Sequence, residues 1–208
     1  MINWYQHVEM NQAPGSTYAA SKKETEKEIV NFEREWDNKV NPNSDEKDQD
    51  FFDLLAWSKF RYVLVRRIFD LDVGGDYYIL RLNSKEIRFD YESAMHILSR
   101  HFGHGMKTYV SVKDHFYGVF RHDQLHRDFE RIFSQIDESG LFAQENVTDI
   151  SFRFKGEIYK IWSLPIDASG QIFRISTFFP VSSPRILDKL RFEYTEKTIN
   201  DELSIFIK

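Results

Sequence analysis

The hydrophobic period of the chain changes near residue 150, and that change limits the folds open to it. Upstream, apolar residues recur at three- and four-residue spacing, as in Ile29, Phe32, Trp36 and Val40, then Leu125, Phe129, Ile132, Phe133 and Ile136. Such intervals gather side chains on one helix face. Downstream the period is two. ISFRF (150–154), EIYKIWSLPI (157–166) and QIFRISTFFPV (171–181) are rich in β-branched and aromatic residues, and Asp167-Ala168-Ser169-Gly170 joins the last two as a hairpin turn. Helices first and strands later predict an α+β fold, N-terminal helices packed on a C-terminal antiparallel sheet, rather than a βαβ order.

Local signals refine this order. Ser21 and Glu24 form a capping box that would open a helix over 21–40, and the polar run NPNSDEKDQD (41–50) predicts a mobile connection. Phe51 to Phe69 is apolar on most sides and predicts a largely buried helix closed by Gly74-Gly75. Tyr77 to Leu82 predicts a strand, and Asp90 caps a helix running to Phe102, with Gly103 as its stop. KTYVSVKDHFYGVF (107–120) predicts an extended piece, 121–137 a further helix, and RFEYTE and LSIFIK additional strands. The expected division is an acidic extension over 1–50, with one helix and a linker, and one α+β domain over 51–208.

Composition excludes several chemistries. The absence of Cys removes disulfide scaffolds, thiolate zinc sites and cysteine nucleophiles. No apolar run approaches the roughly 18 residues of a membrane span, and the N-terminus lacks a basic start and apolar middle, so a cytoplasmic protein without a membrane partner is expected. The net charge of -5 is unevenly spread. Residues 21–50 hold ten acids and six bases, whereas 51–208 hold equal numbers, and 150–195 carry seven Lys or Arg against four acids. Since fields are screened within about 8 Å at physiological salt, a locally basic face is still able to hold phosphates.

Histidine is the most clustered residue type. Six of the seven, His96, His101, His104, His115, His122 and His126, fall within 31 residues. Taken singly, each is most simply a surface or capping histidine. Together they fit metal-independent RNA cleavage, in which the 2′-hydroxyl is the nucleophile and the protein supplies a base, an acid and cations. On a regular helix His96 and Arg100 share a face, while His101 lies about 140° away from His96. His122 and His126 have the spacing of a helical zinc pair, but Asp123 stands where HExxH requires Glu, and neither metal nor cofactor is expected. There is no phosphate-binding Gly loop, no GxSxG and no GxGxxG.

The helix bearing His-Ile-Leu-Ser-Arg-His (96–101), followed much later by Phe173-Arg174-Ile175-Ser176-Thr177-Phe178-Phe179-Pro180, resembles the barnase, EndoU and RelE-like nuclease fold over about 87–182. Its phage and polymorphic-toxin branches are the most similar. The resemblance implies the acid/base role for His96 or His101, phosphate contact for Arg100, a hydroxyl contact from Thr177 or Ser176, and Lys155, Lys160 and Arg174 as strand-borne cations. It also implies an RNA substrate and allows an inhibitory or immunity protein as partner. Two readings compete: a non-enzymatic protein-binding module, and a His/carboxylate metal hydrolase. A cleft joining His96 or His101 to Arg174 and Thr177 would favour the nuclease.

Overall fold

The computed structural model of the chain describes residues 4, 6, 16–39, 43–102 and 119–208. Helix α1 spans Thr17–Asp37 and α2 spans Ser44–Arg67, which runs on into a π-helical turn, Ile68–Val73. Strands β1 (Tyr77–Leu82) and β2 (Lys85–Asp90) precede α3 (Tyr91–His101) and α4 (Leu125–Ser139). Then come β3 (Asp149–Phe154), β4 (Glu157–Pro165), β5 (Ile172–Pro180), α5 (Pro184–Glu193), β6 (Thr195–Thr198) and β7 (Leu203–Ile207). The sheet order is β1-β2-β5-β4-β3-β7-β6, antiparallel except for the parallel β2–β5 pair. This is the α+β class.

The differences from expectation have local causes. Ser16, not Ser21, caps α1, its side chain accepting from the Ala19 amide, so the helix starts a turn earlier and buries Ser21. Asn43 caps α2 from within the polar 41–50 run, which makes 44–50 helical. α2 is buried on one stripe only, through Leu54, Leu55, Ser58, Arg61, Tyr62 and Val65, while Phe52, Phe60 and Val63 face solvent. β2 and α5 carry weaker sequence signals. The β1–β2 turn is Asn83-Ser84, both at positive φ (52° and 60°), a two-residue loop normally built on glycine. Here Asn83 is held from outside: its amide nitrogen donates to Asp137, and its side chain donates to the Phe142 carbonyl.

The main core lies between the helices and one face of the sheet. Phe178 of β5 sits at its centre, with ring centroids 4.9 Å from Phe129 of α4, 5.0 Å from Phe120 and 5.6 Å from Tyr159 of β4. Phe179, Leu190 and Phe206 are buried outside this core.

α1 packs on α2 and α3. Its buried face repeats every fourth residue through Ala20, Glu24, Glu28, Phe32 and Trp36, so two carboxylates stand in line with three apolar residues. Glu28 is paired in bidentate fashion with Arg61 of α2, and both side chains are almost wholly out of solvent. Beside this pair, Trp4 Nε1 donates to Ser58 Oγ (2.6 Å), and Tyr18 stacks on Tyr62 at 4.5 Å. Removing one partner of such a pair strands a buried charge, whereas replacing both by apolar groups does not. Arg61→Met alone is therefore expected to cost about 3–5 kcal/mol, and Arg61→Met with Glu28→Leu to recover most of that loss. Urea unfolding of the three proteins checks this; equal losses in the single and double variants would refute it.

Candidate functional site

β2 is too short to flank β5 along its length. Their parallel pairing ends at Arg88 with Arg174, and after Asp90 the chain turns into α3, which takes over the vacated edge of β5. Asp90 caps this helix by accepting from the Ser93 amide (2.8 Å), and Ser93 Oγ donates to the Ile175 carbonyl (2.6 Å). Burial pushes the Asp90 carboxyl up, against the Ser93 hydrogen bonds. Further along, the His101 Nε2 lies 3.3 Å from Thr177 Oγ1, and its ring stacks on Phe179 at 5.6 Å.

β5 itself is irregular at this point. Its register with β4 shifts so that Thr177 faces Trp162 and Ile175 faces Ser163, leaving Ser176 unpaired in a bulge. α1 lies across α3, and the space between them and β5 is a cleft of about 270 Å³. Lys23 and Glu24 of α1, Glu92 and His96 of α3, and Arg174 and Ser176 of β5 line it.

Glu24 organises the charges. One carboxylate oxygen lies 3.4 Å from His96 Nδ1 and accepts from Lys27 Nζ (2.6 Å); the other lies 3.8 Å from Arg100 Nε, too long for a hydrogen bond. Burial alone would raise this carboxyl, but the His96 hydrogen bond, then Lys27, bring it down to about 2. With Nδ1 turned to Glu24, Nε2 is the His96 nitrogen left for a ligand or a proton. Arg174 donates through Nη1 to Glu92 (2.6 Å) and lies 3.9 Å from Asp90. Lys23 is exposed and has no carboxylate partner among the described residues.

The structure thus brings His96, Arg174 and Ser176 to one cleft, with Arg100 behind Glu24. It joins His101 to Thr177 beside that cleft, not in it, as the 140° helical offset requires. Lys155 and Lys160 are elsewhere. Lys155 is not on a strand but in the turn after β3, at φ 50°, with Glu202 3.8 Å away. Lys160 is buried and paired with Asp149 and Ser151. His122 precedes α4 and is exposed, between Phe60 and Phe102, whereas His126 is buried against Tyr78, so the pair lacks the helical geometry of a zinc site and the two rings pack on different aromatic groups. Among the described residues no group of three or more His, Asp or Glu is arranged to hold a metal ion. His7, Gly103, His104 and His115 lie outside the described residues.

Sequence did not single out Lys23 and Glu92, and it read Glu24 only as part of a capping box, not as a site residue. The available signal was the four-residue series 20-24-28-32-36, which puts two carboxylates in line with Phe32 and Trp36 on what must be a buried face.

Two groups tie stability to pH. Burial pushes the His126 imidazole down, with Asp72 Oδ2 at 3.9 Å opposing, and neither ring nitrogen has a hydrogen-bond partner among the described residues. The unfolded chain therefore binds a proton more readily, and stability is expected to fall as pH drops below about 6.5. Glu24, lowered from 4.5 to about 2, adds stability that is present above 4.5 and lost as pH falls towards 2. His126→Leu is expected to flatten the upper window and Glu24→Gln the lower one, in urea midpoints taken from pH 7.5 to 2.5. An unchanged slope between pH 7 and 5 in His126→Leu would refute the first assignment.

Comparison with known protein families, curated proteins and solved structures returns no match, so the nuclease resemblance of residues 87–182 rests on those residues alone.

Proposed function

We propose that the chain is a metal-independent ribonuclease whose reaction takes place in the cleft between α1, α3 and β5. One observation carries this reading: a half-exposed imidazole, His96, held at Nδ1 by a buried carboxylate, shares a cleft with an arginine and a serine of a bulged strand. A carboxylate partner at Nδ1 fixes the ring's orientation and leaves Nε2 facing the cleft, as a residue that must take and return a proton requires.

In this reading the RNA 2′-oxygen attacks phosphorus as His96 takes its proton, and the P–O5′ bond breaks. The departing 5′ oxygen takes a proton from an imidazolium, His96 itself or His101. The products are a 2′,3′-cyclic phosphate and a 5′-hydroxyl. Arg174 and Lys23 would meet the charge building on the phosphoryl oxygens, with Ser176 donating a hydrogen bond. Arg100 would act through Glu24.

The non-enzymatic binding module is favoured by a different observation: Lys27, Arg100 and Arg174 are already faced by carboxylates of the chain itself. One assay separates the two. Purified protein in EDTA is expected to cut single-stranded RNA, leave DNA of the same sequence intact and generate cyclic-phosphate ends. His96→Ala is expected to lower the rate by about two to four orders of magnitude, and Arg174→Ala to lower it as well. His122→Ala serves as a control for nonspecific effects. RNA left intact in EDTA, or cut equally by His96→Ala, would discard the ribonuclease reading.

A further inference from the structure

Strand β4, which pairs with β5 and adds Leu164 to the cleft lining, carries an apolar face that the core does not use. Trp162, Leu164 and Ile166 of the β4 segment are 43%, 52% and 44% exposed, whereas Trp4 and Trp36 are at most 5% exposed. Trp162 and Leu164 are two apart and share a sheet face, opposite Thr177 and Arg174 respectively. Their face is the reverse of the one that carries Ile161 and Phe178 into the core. The indole is braced: its ring meets Phe179 edge-on at 5.3 Å, and Phe179 is in turn stacked on His101. A ring fixed in this way loses little freedom when a second flat group lies on it.

Charge selects among the groups that would cover it. Arg174, opposite Leu164, lines the cleft and is engaged by carboxylates through Nη1, leaving the rest of its guanidinium to a ligand. The neighbouring cations are already paired, Arg88 with Glu86 (2.6 Å) and Lys160, whose Nζ lies 5.9 Å from the Trp162 ring, with Asp149, so Arg174 is the cation the cleft offers on this side. An aromatic ring about 7 Å, or one two-residue strand step, from the Arg174 cleft matches a ligand that carries a flat base beside an anionic backbone. A base paired in a duplex already has both faces stacked, so only an unpaired one would use the ring.

We infer that Trp162 is a stacking platform for an unpaired base of single-stranded RNA whose adjacent phosphate lies in the His96–Arg174 cleft. This rests on the ribonuclease reading of that cleft and adds its preference for unpaired substrate. Trp162 acts as a specificity residue and takes no part in proton transfer.

The test is binding without cleavage, using a 2′-O-methyl oligoribonucleotide, which lacks the attacking hydroxyl. Its single-stranded form is expected to quench tryptophan fluorescence, and a blunt duplex of the same sequence is not. By anisotropy of the labelled oligonucleotide, W162A is expected to bind roughly ten- to a hundredfold more weakly. W162F, which keeps a ring, is expected to stay within a few-fold of the parent while losing the quench. W162F also answers the question if W162A fails to fold. Quenching and weakened W162A binding by a protein that leaves ordinary RNA intact would uphold the platform and discard only the cleavage reading. Equal affinity of W162A and the parent, or no binding of the single strand, would overturn the platform even in an active ribonuclease. So would a dimer that W162A converts to monomer with RNA binding unchanged, which would assign this face to a second copy of the chain.

Discussion

The buried bidentate pair between Glu28 and Arg61 holds α1 against α2, and the site depends on where α1 lies. Two desolvated charges are tolerated only when each faces the other in good geometry, and this requirement fixes the relative position of the helices more narrowly than apolar contact would. One helical turn earlier on the same face, Glu24 is delivered to His96 and Arg100 of α3. Phe32 and Trp36, one and two turns beyond Glu28, supply the apolar burial that offsets the desolvation. One face of one helix thus does two jobs. Its C-terminal half anchors, and its N-terminal half places a carboxylate in a cleft.

The second constraint is the length of β2. Because its pairing with β5 stops at Arg88, the β5 edge beyond Arg174 needs other partners, and α3 supplies them through Ser93 and His101. A strand edge finished by a helix brings side chains of both types of element together, which is how His96 and Arg174, 78 positions apart, come to line one cleft. The bulge at Ser176 falls on the same stretch. Bulges redirect side chains where a sheet meets a site, and this one separates Arg174 from the Thr177 and Phe179 pair that receives His101.

Much of this was legible in residue patterns. The α+β order, the Asp90 cap, the β3–β4–β5 meander and the α4 stripe follow from periodicity and turn chemistry, which act over a few residues. What was not legible had causes lying further away. The Asn83-Ser84 turn holds two positive φ angles without glycine because Asp137 and Phe142 grip it from 54 and 59 positions along. Ser21 looked like a cap because Glu24 stands three residues on, but Glu24 turns inward to His96 instead.

The sequence by itself determined the class of fold, the helical face shared by His96 and Arg100, and the divergence of His101 from them, since each follows from fixed helix and strand geometry. Tertiary structure alone decided which candidates meet. Arg174 and Ser176 reach His96, while Lys155 goes to a turn and Lys160 to a pairing with Asp149. It also decided that a glutamate outside the motif holds the central imidazole. The physical reason is range: backbone geometry and local hydrogen bonds write themselves into neighbouring residues. The partner of a buried charge, by contrast, is chosen by whichever distant element packs over it.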